Sequence, residues 1–494
     1  SNNLIDGIQL RTVSTKAQDG PQHPGADALE VVKPLADSSN GDVYIYMTDI
    51  NRGFPYEVPG DSGAEKEAWF LDSIGAQVDQ VLQLPAEYQK RIVFVPFNEP
   101  EGNMYGNGGQ SFWGQSWLDD PARFFSAWDR AYRIIKDKMP DARVSGPNTS
   151  ILFNQTYGFL QHAIANDTVP AVFTWHELSN PATIRDSVAR YRGWEDELFA
   201  GTKWAGTHLP INVNEYAFNY HTSVPAQMIQ WISAIEDSKI DADIAYWNID
   251  GNLSDSAVQS NRGNGQWWLL NAYGNMTGDT VTVHPPQPGQ SYTLQGVATV
   301  DDANQKVHAL FGGSTGDQSV YFDRLPDYLG GSAHVQVRDI RWTGQIGDSG
   351  EPQTVAEFDA PIVEGSLSLQ FGQGDLPALG TDSAYEVIVT PGTDTTSPAK
   401  SPVSWRGVYE AEDAPFTGGG HFVNYEGSPA DVGKFYTSGN RNVGNITGEA
   451  SGDGSTGDLA LNFQVDVPAD GTYDLSILAN AFNKEPRNEE QGPV

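Results

Sequence analysis

Two glutamates stand out because each ends an apolar run. In "RIVFVPFNEPEGN" (Arg91 to Asn103), Ile92 to Phe97 is apolar apart from Pro96 and leads straight into Asn98-Glu99-Pro100. In "PINVNEYAF", the run beginning at Ile211 leads into Asn214-Glu215. A carboxylate at the end of a buried strand is costly unless it is paired or reactive. Two carboxylates facing each other across a cleft are what glycoside hydrolysis requires: one protonates the leaving oxygen, and the other attacks the anomeric carbon or activates water. Burial keeps the acid protonated, while neighbouring positive or hydrogen-bonding groups keep the other carboxylate ionised. The competing reading makes both residues structural or capping glutamates. A pair of strand ends, each preceded by asparagine, favours chemistry.

Other candidates lie at neighbouring strand ends. His176 in "FTWHELSN" ends the run from Val172. It is either a satisfied core histidine or a hydrogen-bonding partner of a sugar hydroxyl or of one of the glutamates. Period-two alternation turns the adjacent Glu177 away. Tyr216 follows Glu215, and Trp247 in "IAYWNID" ends a later run, as a ring platform or as core. The glycine- and aromatic-rich loop "EGNMYGNGGQSFWGQSW" reads equally as a cleft wall over substrate or as a surface loop stapled by Trp113 and Trp117.

These residues need a scaffold that brings strand ends together. Apolar runs at Ile8–Arg11, Val43–Asp49, Ile92–Phe97, Arg143–Gly146, Val172–Trp175, Ile211–Asn214 and Ile244–Trp247 alternate with amphipathic segments. One such segment carries Phe124, Ala127, Trp128, Ala131 and Ile134 at helical spacing. This is an α/β pattern, a parallel sheet covered on both faces. In a parallel barrel the carboxyl ends of the strands face the active site, which puts Glu99 and Glu215 at its mouth. From about Gly278 the texture changes to short alternating strands broken by Gly, Asp and Pro, the pattern of an antiparallel β-sandwich. The expected organisation is a barrel over 1–275, a sandwich over 276–396, a Thr/Pro/Ser-rich linker at 397–404 and a further β-rich segment over 405–494.

Composition narrows the classes. Across 494 residues, 29 Lys and Arg face 64 Asp and Glu, a net charge of −35 that would repel a phosphate backbone and excludes nucleic acid as a partner. The absence of cysteine excludes disulfides, thiol catalysis and thiolate zinc sites. No apolar run approaches the ~20 residues that span a bilayer, so no membrane insertion is expected.

The strand-end glutamates resemble those of the clan A glycoside hydrolases, retaining enzymes built on a (β/α)8 TIM-type barrel. Their Asn-Glu-Pro ends strand four and their nucleophile ends strand seven. The resemblance implies that Glu99 is the acid/base, Glu215 the nucleophile, and Asn98 the partner of the sugar 2-hydroxyl. It also implies that Arg11 supports the nucleophile from strand two and that Trp247 underlies the sugar ring from strand eight. By this count strand one precedes Ser1, so the chain is expected to be part of a longer protein. Within the clan the chain is most similar to family 39, through the two glutamate motifs and the exit segment "GQWWLLNAYGNMTGDTVTV". That family implies a retaining exo-glycosidase of arabinofuranosidase or β-xylosidase type. The alternative is a barrel that binds carbohydrate without cleaving it. The opening "GVYEAEDAPFTGGG" resembles carbohydrate-binding modules of families 35 and 6, and the module is expected to be truncated here. That resemblance implies a structural calcium held by Glu410 and Glu412, against the plain reading of exposed edge carboxylates. No cofactor is expected for catalysis. The expected partner is an oligosaccharide or polysaccharide, met outside the cell or at its surface.

Overall fold

The computed structural model describes residues 12–14, 37, 41–51, 55–217, 221–244, 258–259, 262–343, 350–392, 409, 414–418, 421–425, 441–445 and 459–467. The chain divides into two compact units, Ser1–Asn219 with Ala234–Leu253, and Tyr220–Ser233 with Ser254–Val494.

The first unit is organised on a seven-stranded sheet. Its strands are β1 (Thr12–Ser14), β2 (Asp42–Tyr46), β3 (Ile92–Val95), β4 (Arg143–Thr149), β5 (Val172–Glu177), β6 (Ile211–Tyr216) and β7 (Asp241–Ile244). Strand order follows chain order and every pairing is parallel. The outer strands β1 and β7 also approach within 8 Å between Cα atoms, so the sheet curls on itself in the manner of a β/α barrel. Parallel neighbours need crossovers. Helices α1 (Gly63–Val81), α2 (Ala86–Gln89), α3 (Ala122–Lys138), α4 (Thr156–Asn166) and α5 (Pro181–Phe199) lie in the connections from β2 to β6. All four residues of β3 are buried, as a strand covered on both faces must be. Helix α1 opens on a capping box: Ser62 Oγ accepts from the Glu65 N–H and Glu65 Oε2 accepts from the Ser62 N–H. Helix α3 buries Phe124, Ala127, Trp128, Ala131 and Ile135, so the expected stripe ends on Ile135 and leaves Ile134 half-buried. At the amino ends of the strands, the Arg143 guanidinium grips Asp42 bidentately, both bonds 2.7 Å, and ties β4 to β2 across β3.

Two strand expectations shift. Residues 8–11 lie outside the described residues, and the strand described beside β2 is Thr12–Ser14. Strand β7 begins at Asp241, ahead of the expected Ile244, while 245–247 are not among the described residues. Within this polar stretch Asp243 accepts a hydrogen bond from Asn212 Nδ2 of β6 at 3.2 Å.

The second unit holds a short hairpin, β8 (Val258–Gln259) with β9 (Arg262–Gly263), and a six-stranded antiparallel sheet. The sheet's strands are β10 (Asp279–Val281), β11 (Gln295–Asp301), β12 (Lys306–Gly312), β14 (Ser332–Ile340), β15 (Gln353–Pro361) and β17 (Ala384–Pro391), in the order β10-β11-β12-β17-β14-β15. A two-stranded sheet, β13 (Gln318–Phe322) with β16 (Leu367–Phe371), shares its apolar core through Val320, Leu369 and Phe371. Buried and half-buried residues alternate along β14, which is why this half reads as strands of period two. Further on, Phe416–Gly418 pairs with Leu459–Leu461, and His421–Tyr425 with Arg441–Asn445, both antiparallel. No helix among the described residues is long and apolar enough to cross a membrane.

Candidate active site

Three neighbouring ladders of the parallel sheet break register at the same level, near the carboxyl ends of the strands. Between β4 and β5 the pairing jumps from Pro147 to Thr149 and passes over Asn148. Between β5 and β6 it jumps from Trp175 to Glu177 and passes over His176. Between β6 and β7 it jumps from Val213 to Tyr216 and passes over Asn214 and Glu215. A bulge re-aims the residue it leaves unpaired, and such bulges gather beside functional sites. Strand β3 ends earlier, at Val95, and the chain turns through Pro96-Phe97-Asn98 to Glu99, whose φ of +42° is left-handed.

These bulges bring three side chains together. His176 Nδ1 lies 2.8 Å from Glu99 Oε1 and 3.5 Å from Glu215 Oε2. A ligand oxygen from each glutamate and the histidine nitrogen all fall within 4.8 Å of one another. The side chain of His176 is fully buried and that of Glu215 is 5% exposed, whereas Glu99 keeps 14% of its surface open. The two carboxylates therefore differ in access, and Glu99 is the one better placed to exchange protons with solvent or a leaving group. A His and two carboxylates could also hold a cation. However, 2.8 Å is a hydrogen-bond distance, shorter than the roughly 3.3 Å between neighbouring ligands around tetrahedral zinc with bonds of ~2.0–2.1 Å. The local geometry is that of a hydrogen bond between Glu99 and His176.

No family model matches the chain. Among curated proteins it is 30% identical, over 96% of its own length, to 3-O-α-D-galactosyl-α-L-arabinofuranosidase of Bifidobacterium longum subsp. longum. It is equally 30% identical, again over 96% of its length, to 3-O-β-L-arabinopyranosyl-α-L-arabinofuranosidase of Bifidobacterium pseudocatenulatum. The chain spans about half the length of these relatives, 45% and 52% respectively. Among solved structures, N2152 from Neocallimastix frontalis is 27% identical with a TM-score of 0.65, covering 79% of this chain and 91% of that one. A family 39 glycoside hydrolase from Xanthomonas axonopodis pv. citri, 13% identical, shares the fold at a TM-score of 0.52 over 78% of this chain and 89% of that one. A monomeric β-xylosidase from Caulobacter crescentus CB15, also 13% identical, does so at 0.52 over 78% and 96%. In fold the chain resembles a family 39 glycoside hydrolase.

The remaining candidates separate. Asn98 is buried in a polar chain: its Nδ2 donates to Tyr56 Oη at 3.0 Å and its Oδ1 accepts from Asn148 Nδ2 at 3.0 Å. Glu177 is turned away from His176, its Oε1 accepting from the Trp175 indole at 3.0 Å. Tyr216 is buried at the end of β6, in register with Glu177 and Ile244. Arg11, Trp247, Glu410 and Glu412 lie outside the described residues. The aromatic loop after Glu99 is stapled: Trp117 is buried 5.0 Å from Phe124 of α3, and the Arg123 guanidinium stacks 3.9 Å over Trp113. Sequence reasoning did not find Asp49, Tyr56, Glu101 or Asn148. Of these, Asp49 carried the signal of an apolar run that stops on a carboxylate, and Asn148 that of a polar residue next to the end of the "RVSGPNT" strand.

Proposed function

We propose that this chain carries the catalytic barrel of a retaining glycoside hydrolase that releases α-L-arabinofuranosidic units from plant arabinogalactan-type side chains. The observation that carries the reading is the approach of the Glu99 and Glu215 carboxylates within 4.8 Å, with His176 between them, at the mouth of a parallel sheet. Retaining enzymes hold their carboxyl groups about 5–5.5 Å apart, whereas inverting enzymes need about 6.5–9.5 Å to admit water. Glu215 attacks the anomeric carbon as Glu99 gives its proton to the leaving oxygen, and a glycosyl ester to Glu215 forms. Water then enters, Glu99 takes its proton, and attack at the same carbon frees Glu215 and releases the sugar with its configuration kept. Asn98 and Tyr216 flank the reacting pair, and His176 holds the Glu99 carboxyl in place between steps. The arabinofuranoside assignment rests on the two curated relatives, both named for α-L-arabinofuranosidase action. Catalysis uses no cofactor. The antiparallel half is read as a β-sandwich, and the C-terminal segment as a carbohydrate-binding module with a structural calcium. We read the protein as acting outside the cell or at its surface, where a polymeric substrate is met.

Aryl α-L-arabinofuranosides, arabinopyranosides and xylosides test this reading on wild type, Glu215→Ala and Glu99→Ala, with and without azide. Turnover of the arabinofuranoside should fall by at least about 10³-fold in Glu215→Ala, which is ~4 kcal/mol of barrier. Azide should then yield the inverted glycosyl azide with Glu215→Ala and the retained one with Glu99→Ala. The opposite product pattern would exchange the two roles, and undiminished turnover in either variant would overturn the site.

A further inference from the structure

We propose that Asn148 is a positioning residue that sets the hydrogen-bonding edge of Asn98 and the backbone of Glu99, an inference that rests on Glu99 being the acid/base. Asn148 stands in the bulge row with His176 and Glu215 yet touches neither glutamate side chain among the hydrogen bonds described. Its backbone carbonyl accepts the Glu99 N–H at 2.8 Å, and its Nδ2 donates to Asn98 Oδ1 at 3.0 Å. One residue thus holds both members of the Asn-Glu pair, one through its main chain and one through its side chain.

The orientation of Asn98 follows from a directed chain. Asp49, as a carboxylate, only accepts, and it accepts from the Tyr56 hydroxyl at 2.8 Å. Burial raises the Tyr56 phenol far above its ordinary range, so it keeps the proton it donates. The Tyr56 oxygen then accepts from Asn98 Nδ2, which turns Asn98 Oδ1 toward Asn148 Nδ2. All four side chains are buried, so the chain polarises along its length with little competition from water.

Holding this geometry has local costs. Asn148 adopts a left-handed φ of +64°, and its own Oδ1 is buried with no hydrogen-bond partner among the described residues. Strain and an unsatisfied acceptor at one residue persist where function over-determines the conformation.

The test compares Asn148→Gly with Asn148→Asp. Glycine accepts the left-handed backbone and keeps the carbonyl that binds the Glu99 N–H, so it removes only the amide. Aspartate keeps shape and tolerates the backbone but cannot donate to Asn98 Oδ1, which forces the Asn98 amide to turn over. Each variant is assayed on the aryl arabinofuranoside at its own pH optimum, beside Glu99→Ala and Asn98→Ala. The expected result is a loss of at least about tenfold in kcat for Asn148→Gly and a larger loss for Asn148→Asp. Asn98→Ala combined with Asn148→Gly should lose no more than Asn98→Ala alone. A merely structural Asn148 would rank the isosteric aspartate above glycine and would add to Asn98→Ala, and either result overturns the inference. Wild-type turnover in Asn148→Gly beside an inactive Glu99→Ala would overturn it while leaving the site standing. Full turnover in Glu99→Ala would remove both.

Discussion

At the residue scale, the carboxylate two positions beyond Glu99 shows how burial at this site reaches past the reacting pair. Glu101 Oε1 accepts the Ser150 N–H at 2.7 Å, while its Oε2 is sealed from solvent without a hydrogen-bond partner among the described residues. Burial pushes its carboxyl up to about 7; hydrogen bonds from Ser150 pull it down and the Glu99 charge pushes it further up. An unfolded chain returns this group to its ordinary 4.5. Between those values the folded state binds the extra proton, so the contribution of Glu101 to stability is complete below pH 4.5, falls as pH rises and is gone above about pH 7. Glu101→Gln keeps an acceptor for Ser150 and removes the ionisation. Its stability relative to wild type should therefore rise between pH 4.5 and pH 8, by at most about 3 kcal/mol. Urea unfolding at the two pH values measures the gap, and an equal gap at both would show that the carboxyl ionises as it would in water.

At the element scale, the barrel wall depends on how closely α3 lies against β4. Gly146 faces Trp128, and a Cβ there would sit 2.4 Å from Cζ3 and 2.6 Å from Cη2 of the indole. The ring has no easy retreat, because its Nε1 donates to the Thr168 carbonyl at 3.0 Å and it packs 5.0 Å from Phe159. Gly146→Ala should destabilise the protein by about 1–3 kcal/mol, read from its denaturant midpoint, and a neutral result would refute the packing. This contact also marks the limit of what was legible beforehand. The runs ending in Glu99 and Glu215 were readable because an apolar strand that stops on a carboxylate breaks a local pattern. The α3 stripe was readable because helical period is local as well. The pairing of Gly146 with Trp128, and the chain from Asp49 through Tyr56 and Asn98 to Asn148, join positions far apart in sequence. No local period encodes them. The bulges at Asn148, His176 and Glu215 escaped notice for a related reason: a bulge is a property of two strands, and each strand alone reads as regular. His176 remained open between core and site until its 2.8 Å contact with Glu99 was visible.

At the scale of the whole molecule, the net charge of −35 makes a statement about substrate that no single residue makes. At about 10 mM salt the field reaches ~30 Å from the surface, and at 0.1 M only ~10 Å. A neutral pentoside feels none of this, since its approach carries no charge to repel. A glycan bearing uronic acids must climb the potential, and its effective concentration at the cleft falls accordingly. On a neutral aryl α-L-arabinofuranoside, kcat/KM should change less than about twofold between 10 mM and 500 mM sodium chloride. On an arabinogalactan fragment carrying glucuronate it should rise several-fold over the same range, with the gain in KM rather than kcat. Both series belong well below the unfolding temperature, so that salt acts on encounter and not on the folded fraction. A fall in kcat/KM with salt on the acidic fragment would mean that a local cationic subsite outweighs the global field, and a neutral arabinoside would then be a poor stand-in for the natural substrate.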